Sequence, residues 1–148
     1  MKQLLTLFFI MIMTMGQTVI AGQTTPLNPI TTLKIHITGF DNSDGQAKVA
    51  IVNSQENYES DEKPYKGIDY KIVDNEVVQT ITLPYGEYAL KVFHDENAND
   101  ELDTLMFGIP KERYGFSNNA RGSFGPPDYK DARFVLKSPD QKISIMVQ

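Results

Sequence analysis

The sequence predicts an all-β domain, an antiparallel β-sandwich of about seven strands, and three observations carry that prediction. Apolar residues alternate with polar ones over short runs, at the period of two that a strand with one buried face requires. Clusters of Gly, Pro, Asn and Asp punctuate those runs. No stretch carries the apolar period of an amphipathic helix. A small closed β-barrel built from the same strands is the alternative.

Leu33, Ile35 and Ile37 alternate with Lys34, His36 and Thr38 and mark the first strand. Phe40 to Gly45 is a turn, after which Ala47, Val49 and Ile51 resume the alternation, so the pair reads as a hairpin. Asn53 to Gly67 is polar and broken by Pro64; it reads as a surface loop with room for one helical turn. The runs Ile68 to Val73 and Val77 to Leu83 flank Asp74-Asn75, short polar residues that tolerate positive φ, which predicts a second hairpin. Pro84-Tyr85-Gly86 turns the chain into a fifth strand through Tyr88, Leu90 and Val92. Ala132 to Leu136 and Ile143 to Val147, with Ser138-Pro139-Asp140 between them, supply the last two. The excursion from Asp95 to Asp131 is far longer than the usual connection of about 4 to 6 residues. Its aromatics, Phe107, Tyr114, Phe116, Phe124 and Tyr129, argue that it is ordered.

The N-terminus has the order of a secretory signal peptide. Lys2 precedes an apolar stretch from Leu4 to Met15, and Val19-Ile20-Ala21 forms a small-residue exit, which places cleavage after Ala21. A bilayer-spanning helix needs roughly 20 apolar residues. The run is shorter than that, so residues 1–21 are expected to be removed and to leave no transmembrane anchor. Residues 22–32 read as a flexible leader and 33–148 as a single domain. The expected location is periplasmic or secreted. The absence of cysteine excludes a lipid anchor, disulfides and thiolate zinc sites. Nineteen acidic residues against 14 basic ones, with no Lys/Arg cluster, argue against nucleic acid as a partner.

The strongest local signal for chemistry is Asp95 to Asp103. Asp95, Asn97, Asn99 and Asp103 bring side-chain oxygens to relative positions 1, 3, 5 and 9, and Glu101 offers a backbone carbonyl at position 7, the spacing with which a tight loop wraps Ca²⁺. Position 6, where Gly makes the sharp turn, is Asp100, and position 12, where Glu closes the shell, is Met106. A Ca²⁺ site therefore needs Glu112, Asp128 or Asp131 to fold back onto the loop, or waters to complete the shell of a weak, extracellular-type site. The competing reading is a turn in which the same side chains bond backbone amides. Of the two histidines, His36 points outward from its strand, and His94 lies beside Asp95, which could orient its ring. Gly122-Ser123-Phe124-Gly125 lacks the Gly that an esterase elbow needs two residues before the Ser, where Arg121 stands. Aromatics, amides and rigid turn residues mix from Phe107 to Asn119 and again from Phe124 to Pro127. They suit either a ligand surface, with Phe116, Asn118, Asn119 and Arg121 as the candidate binding residues, or a loop that packs on itself.

Gly86-Glu87-Tyr88-Ala89, Phe93-His94-Asp95-Glu96-Asn97, Phe107-Gly108-Ile109-Pro110-Lys111-Glu112, Tyr114 to Asn119 and Phe124-Gly125-Pro126-Pro127 together form a specific chain of motifs. In them the sequence resembles a bacterial family of exported proteins known as domain of unknown function 2141, over the span from Leu33 onward. That family has no assigned activity or catalytic residues to carry over, and its loop usually has Gly where this chain has Asp100. The Gly-x-Tyr-x-Leu strand and the Asp/Asn loop are also similar to transthyretin-like and carboxypeptidase-regulatory-like modules. The resemblance implies an accessory sandwich rather than an enzyme.

The expected function is an exported, non-enzymatic β-sandwich that binds an unidentified protein or small ligand through the 95–131 excursion, with Ca²⁺ as its candidate cofactor. The alternatives are a hydrolytic enzyme using His94 with Asp95 or Glu112, and a structural component of the envelope.

Overall fold

The computed structural model describes residues 28–60 and 64–148. The signal-peptide segment and most of the leader lie outside the described residues. Eight strands form two sheets: β1 (Ile30–Thr38), β2 (Gln46–Val52), β3 (Lys66–Tyr70), β4 (Val77–Pro84), β5 (Gly86–Asp95), β6 (Tyr114–Phe116), β7 (Phe134–Leu136) and β8 (Asp140–Met146). The short helices α1 (Gln55–Glu59) and α2 (Tyr129–Ala132) and two 3-10 turns complete the described elements. One sheet has the order β4-β1-β8; the other runs β3-β2-β5-β6, with β7 also on β5. Two open sheets, not a closed barrel, face each other across a common core. No helix among the described residues is long and apolar enough to cross a membrane.

The alternation predicts the buried faces correctly. Leu33, Ile35 and Ile37 of β1 and Ile143 and Ile145 of β8 meet Val49 and Ile51 of β2 and Leu90 and Val92 of β5 in one core cluster. Several pairings differ from expectation. β1 and β2 are not a hairpin, because β1 pairs with β4 and β8 whereas β2 pairs with β3 and β5. The connection between them arches from one sheet to the other. Gly45 sits in it at φ +59°, where a Cβ would lie 1.9 Å from the Asp95 carbonyl oxygen. The second expected hairpin shortens to a single bridge, Val73 to Glu76, around Asp74 and Asn75, both at positive φ. Its flanking strands again separate into different sheets. The sandwich is not wholly antiparallel, since β1 and β8 run parallel. Finally, β1 begins at Ile30, inside the stretch read as leader, and Thr31 is buried with its hydroxyl donating to the Ser138 carbonyl at 2.8 Å.

The outer face of the five-stranded sheet carries a second, smaller cluster. Val52 and Ala89 face away from the main core. Tyr58 of α1, Phe116 of β6, and Tyr129 and Ala132 of α2 pack over them. The Tyr58 and Tyr129 rings lie 5.5 Å apart. Buried Ser117 ties the layers together, accepting the Leu90 N–H at 2.8 Å and donating to the Ala132 carbonyl at 2.5 Å. The excursion is thereby fixed to the sheet as an added layer.

Candidate functional site

The excursion leaves β5 at Asp95, whose side chain is fully buried. One carboxylate oxygen accepts the Asn99 N–H at 3.0 Å, and the other accepts the Asp100 N–H at 3.0 Å and the Gln46 amide at 3.3 Å. Asn97 Oδ1 accepts the Asn99 N–H and Asn99 Oδ1 accepts the Glu101 N–H, which fixes both amide orientations. Their NH₂ groups consequently donate to the two oxygens of Asp103 at 3.0 and 3.1 Å. Glu112 does fold back, buried to 8 % exposure, and its two oxygens accept the N–H groups of Glu96 and Asp103, each at 3.0 Å.

The cation expectation meets a donor set that does not fit it. The carboxylates of Asp95, Asp103 and Glu112 are satisfied by N–H donors, and Asn97 and Asn99 present nitrogen, not oxygen, to Asp103. Glu101 enters through its backbone N–H. Asp128 and Asp131 lie away on and before α2, where Asp128 pairs with Lys130. Among the described residues no three acidic or histidine side chains converge as a metal-holding group. The loop is the amide-bonded turn, with Glu112 as its clasp. Asp100, at φ +67°, is anchored by Lys48 at 2.5 Å.

The hydrolytic pairing is not assembled. His94 is buried against the Phe40 ring, with Nε2 donating to the Asp44 carbonyl at 2.8 Å. Asp95, its neighbour on the strand, points to the opposite face, as strand geometry dictates. Glu112 is committed to backbone amides. His36 does point outward and bonds Glu76 at 2.7 Å.

Beyond the acidic turn the chain forms a tight tip. Leu105 N–H bonds the Ile109 carbonyl at 2.6 Å, and Thr104 bridges Pro110. Closure places Phe107 at φ +67° and 95 % exposed, beside exposed Leu105, Met106 and Ile109. Phe124, on the segment after β6, is also fully exposed. The two rings wall one groove of about 490 Å³, floored by Tyr114 and Phe116 and bordered by Pro110 and Pro126. The five aromatics of the excursion thus divide: Phe116 and Tyr129 pack, Tyr114 is half-buried, and Phe107 and Phe124 face solvent.

Three of the four sequence-chosen binding residues, Phe116, Asn119 and Arg121, line a second, smaller cavity of about 80 Å³ that shares Tyr114, Phe116 and Gly125 with the groove. Asn118 does not join them; its amide donates to the Asp131 and Arg133 carbonyls. Asn119 lines the cavity while its Oδ1 accepts the Met146 N–H at 2.8 Å. The sequence reading placed Phe107 and Ile109 in a segment suited to a ligand surface but missed Leu102, which is separated from it by Asp103 and Thr104 and by the apolar Leu105-Met106.

The family model described as "Uncharacterized protein conserved in bacteria (DUF2141)" matches residues 35–144. No curated protein and no solved structure matches the chain.

Proposed function

The chain belongs to the DUF2141 family, and from that premise we propose that it is an exported, non-enzymatic β-sandwich that binds a ligand through its 95–131 excursion. One observation carries the reading: Phe107 and Phe124, from two separated segments, are both essentially fully exposed and wall the same apolar groove. Exposed apolar side chains scattered singly are ordinary, but a contiguous set around a concavity marks a binding surface. The groove's volume lies within the roughly 300 to 1,000 Å³ range of ligand pockets. Phe107 adds backbone cost to its exposure, since a bulky residue at positive φ is strained, and strain of that kind concentrates at ligand sites. The acidic turn serves as a rigid, hydrogen-bonded base for the tip.

Amide chemical-shift mapping with a library of small apolar and polar compounds tests the proposal. Hits should perturb residues 102–126 and be lost in the Phe107→Ser/Phe124→Ser double variant. Hits confined to other surfaces, or none at all, would overturn it. Export is tested separately by intact mass from the native host, which should correspond to a chain beginning at Gly22.

A further inference from the structure

The groove and the small cavity beside it differ in chemistry, and their junction suggests what they recognise. The groove is walled by Leu102, Phe107, Ile109 and Phe124 and has Thr104 as its one aliphatic hydroxyl. That is a surface for a hydrocarbon, not for a sugar, which needs amides and carboxylates around its hydroxyls. The adjoining cavity is lined largely by polar side chains and backbone, and its wall includes Arg121. Across both concavities Arg121 is the only charged side chain. The other two arginines are each paired, Arg113 with Asp41 and Arg133 with Glu87. Among the described residues Arg121 has no such partner, although the whole chain carries a formal charge of -5. A guanidinium with no ion-pair partner among the described residues, at the end of an apolar groove, is complementary to an anion with an apolar tail.

We propose that the excursion binds a single-chain anionic amphiphile, with its hydrocarbon tail between Phe107 and Phe124 and its acid head at Arg121. The proposal rests on the ligand-binding reading above and names the ligand class for that same site. Tyr114, Phe116 and Gly125, common to both concavities, form the junction where tail gives way to head. Arg121 is exposed, so the charge stays hydrated until the head arrives.

Titration with decanoate, decanol and acetate, all below any micelle-forming concentration and followed by amide shifts and calorimetry, tests it. Decanoate should bind saturably at one site on residues 102–126, at least tenfold more tightly than decanol, while acetate shows no comparable affinity. Arg121→Gln should bring decanoate down to the level of decanol, and Arg121→Lys should keep part of the preference. Equal binding of decanoate and decanol by the wild-type protein, or an undiminished preference in Arg121→Gln, overturns the proposal but leaves the groove as a binding site. Acetate binding as well as decanoate removes the tail from the account and overturns it too. If none of the three perturbs the groove while other library compounds do, the amphiphile assignment alone falls; if nothing perturbs it, the ligand-binding reading falls with it.

Discussion

The Lys48 ammonium on β2 reaches Asp100 Oδ1 at 2.5 Å and Asp69 on β3 at 3.0 Å, so one cation ties the acidic turn to two strands of the sheet. Asp100 stands at φ +67°, a conformation that costs a non-Gly residue roughly 1–2 kcal/mol, of which a Gly there would give back about 0.5–1 kcal/mol in extra chain entropy. The exposed ion pair returns roughly 0–1 kcal/mol. The two effects nearly cancel. Asp100→Gly should therefore change stability by no more than about 0.5 kcal/mol, a few degrees in Tm at most. A double-mutant cycle with Lys48→Met should show coupling of about 0.5 kcal/mol or more between the positions. Strict additivity would mean that the pair contributes nothing to holding the turn.

The turn's stability should not depend on calcium. A site with Kd of about 10⁻³ M would add roughly 1.4 kcal/mol at about 10 mM calcium, a shift of several degrees in Tm. The hydrogen-bonded turn predicts the same melting curve in EDTA and in calcium. Asp95→Ala strips acceptors from the Asn99 and Asp100 N–H groups and should cost about 2 kcal/mol or more in either buffer. A calcium-dependent rise in wild type that disappears in Asp95→Ala would restore the cation reading.

Acid should weaken the same element. Burial alone would raise the Asp95 carboxyl, but the hydrogen bonds from Gln46, Asp100 and Asn99 and the charge of Lys48 outweigh it and hold the group below its usual 3.8. A depressed folded-state value means that the ionised form stabilises the fold above the unfolded value, and that this stability disappears as pH falls through the folded one. The loss falls below about pH 4. Asp41 is lowered too, by its hydrogen bond to Arg113, but it is largely exposed and its effect is screened. Denaturant midpoints measured from pH 6 to pH 2 should drop steeply in wild type and less steeply in Asp95→Asn. Parallel acid limbs would show that another group controls the transition.

Period-two alternation made the buried faces of β1, β2, β4 and β5 legible, because every strand in a sandwich turns one face to the core. It could not say which strands are neighbours. Leu33 to Ile37 and Ala47 to Ile51 look the same whether they pair across a hairpin or face each other across the core. β6 went unseen for a different reason: Tyr114-Gly115-Phe116 is three residues with Gly in the middle, the composition of a turn. That Gly is dictated by packing, since a Cβ on Gly115 would lie 2.8 Å from the Met146 carbonyl oxygen. In the candidate site, the Asx spacing from Asp95 to Asp103 was legible as a loop. Its clasp was legible only as a condition, because no local pattern tells whether the oxygens of Glu112 meet a cation or two backbone amides. The segregation of packed Phe116 from exposed Phe107 and Phe124 depends on which face of β6 and which loop tip each occupies, and sequence spacing does not encode that.

That segregation makes the strongest prediction. Phe116 is 9 % exposed within the cluster over the five-stranded sheet, so Phe116→Ala removes a packed ring and should cost about 3–5 kcal/mol. Phe124 is fully exposed at the groove's rim, and Phe124→Ser should lie within about 0.5 kcal/mol of wild type. Phe107→Gly goes further. It removes an exposed apolar ring and relieves a side chain held at φ +67°, so it should leave stability unchanged or raise it by about 0.5–1 kcal/mol. Chemical denaturation of the three variants, with amide mapping of ligand hits on each, separates folding from binding. Phe107→Gly and Phe124→Ser should fold at least as well as wild type and bind less. A loss of more than about 1 kcal/mol in Phe107→Gly would mean that the ring packs in solution and is not available to a ligand.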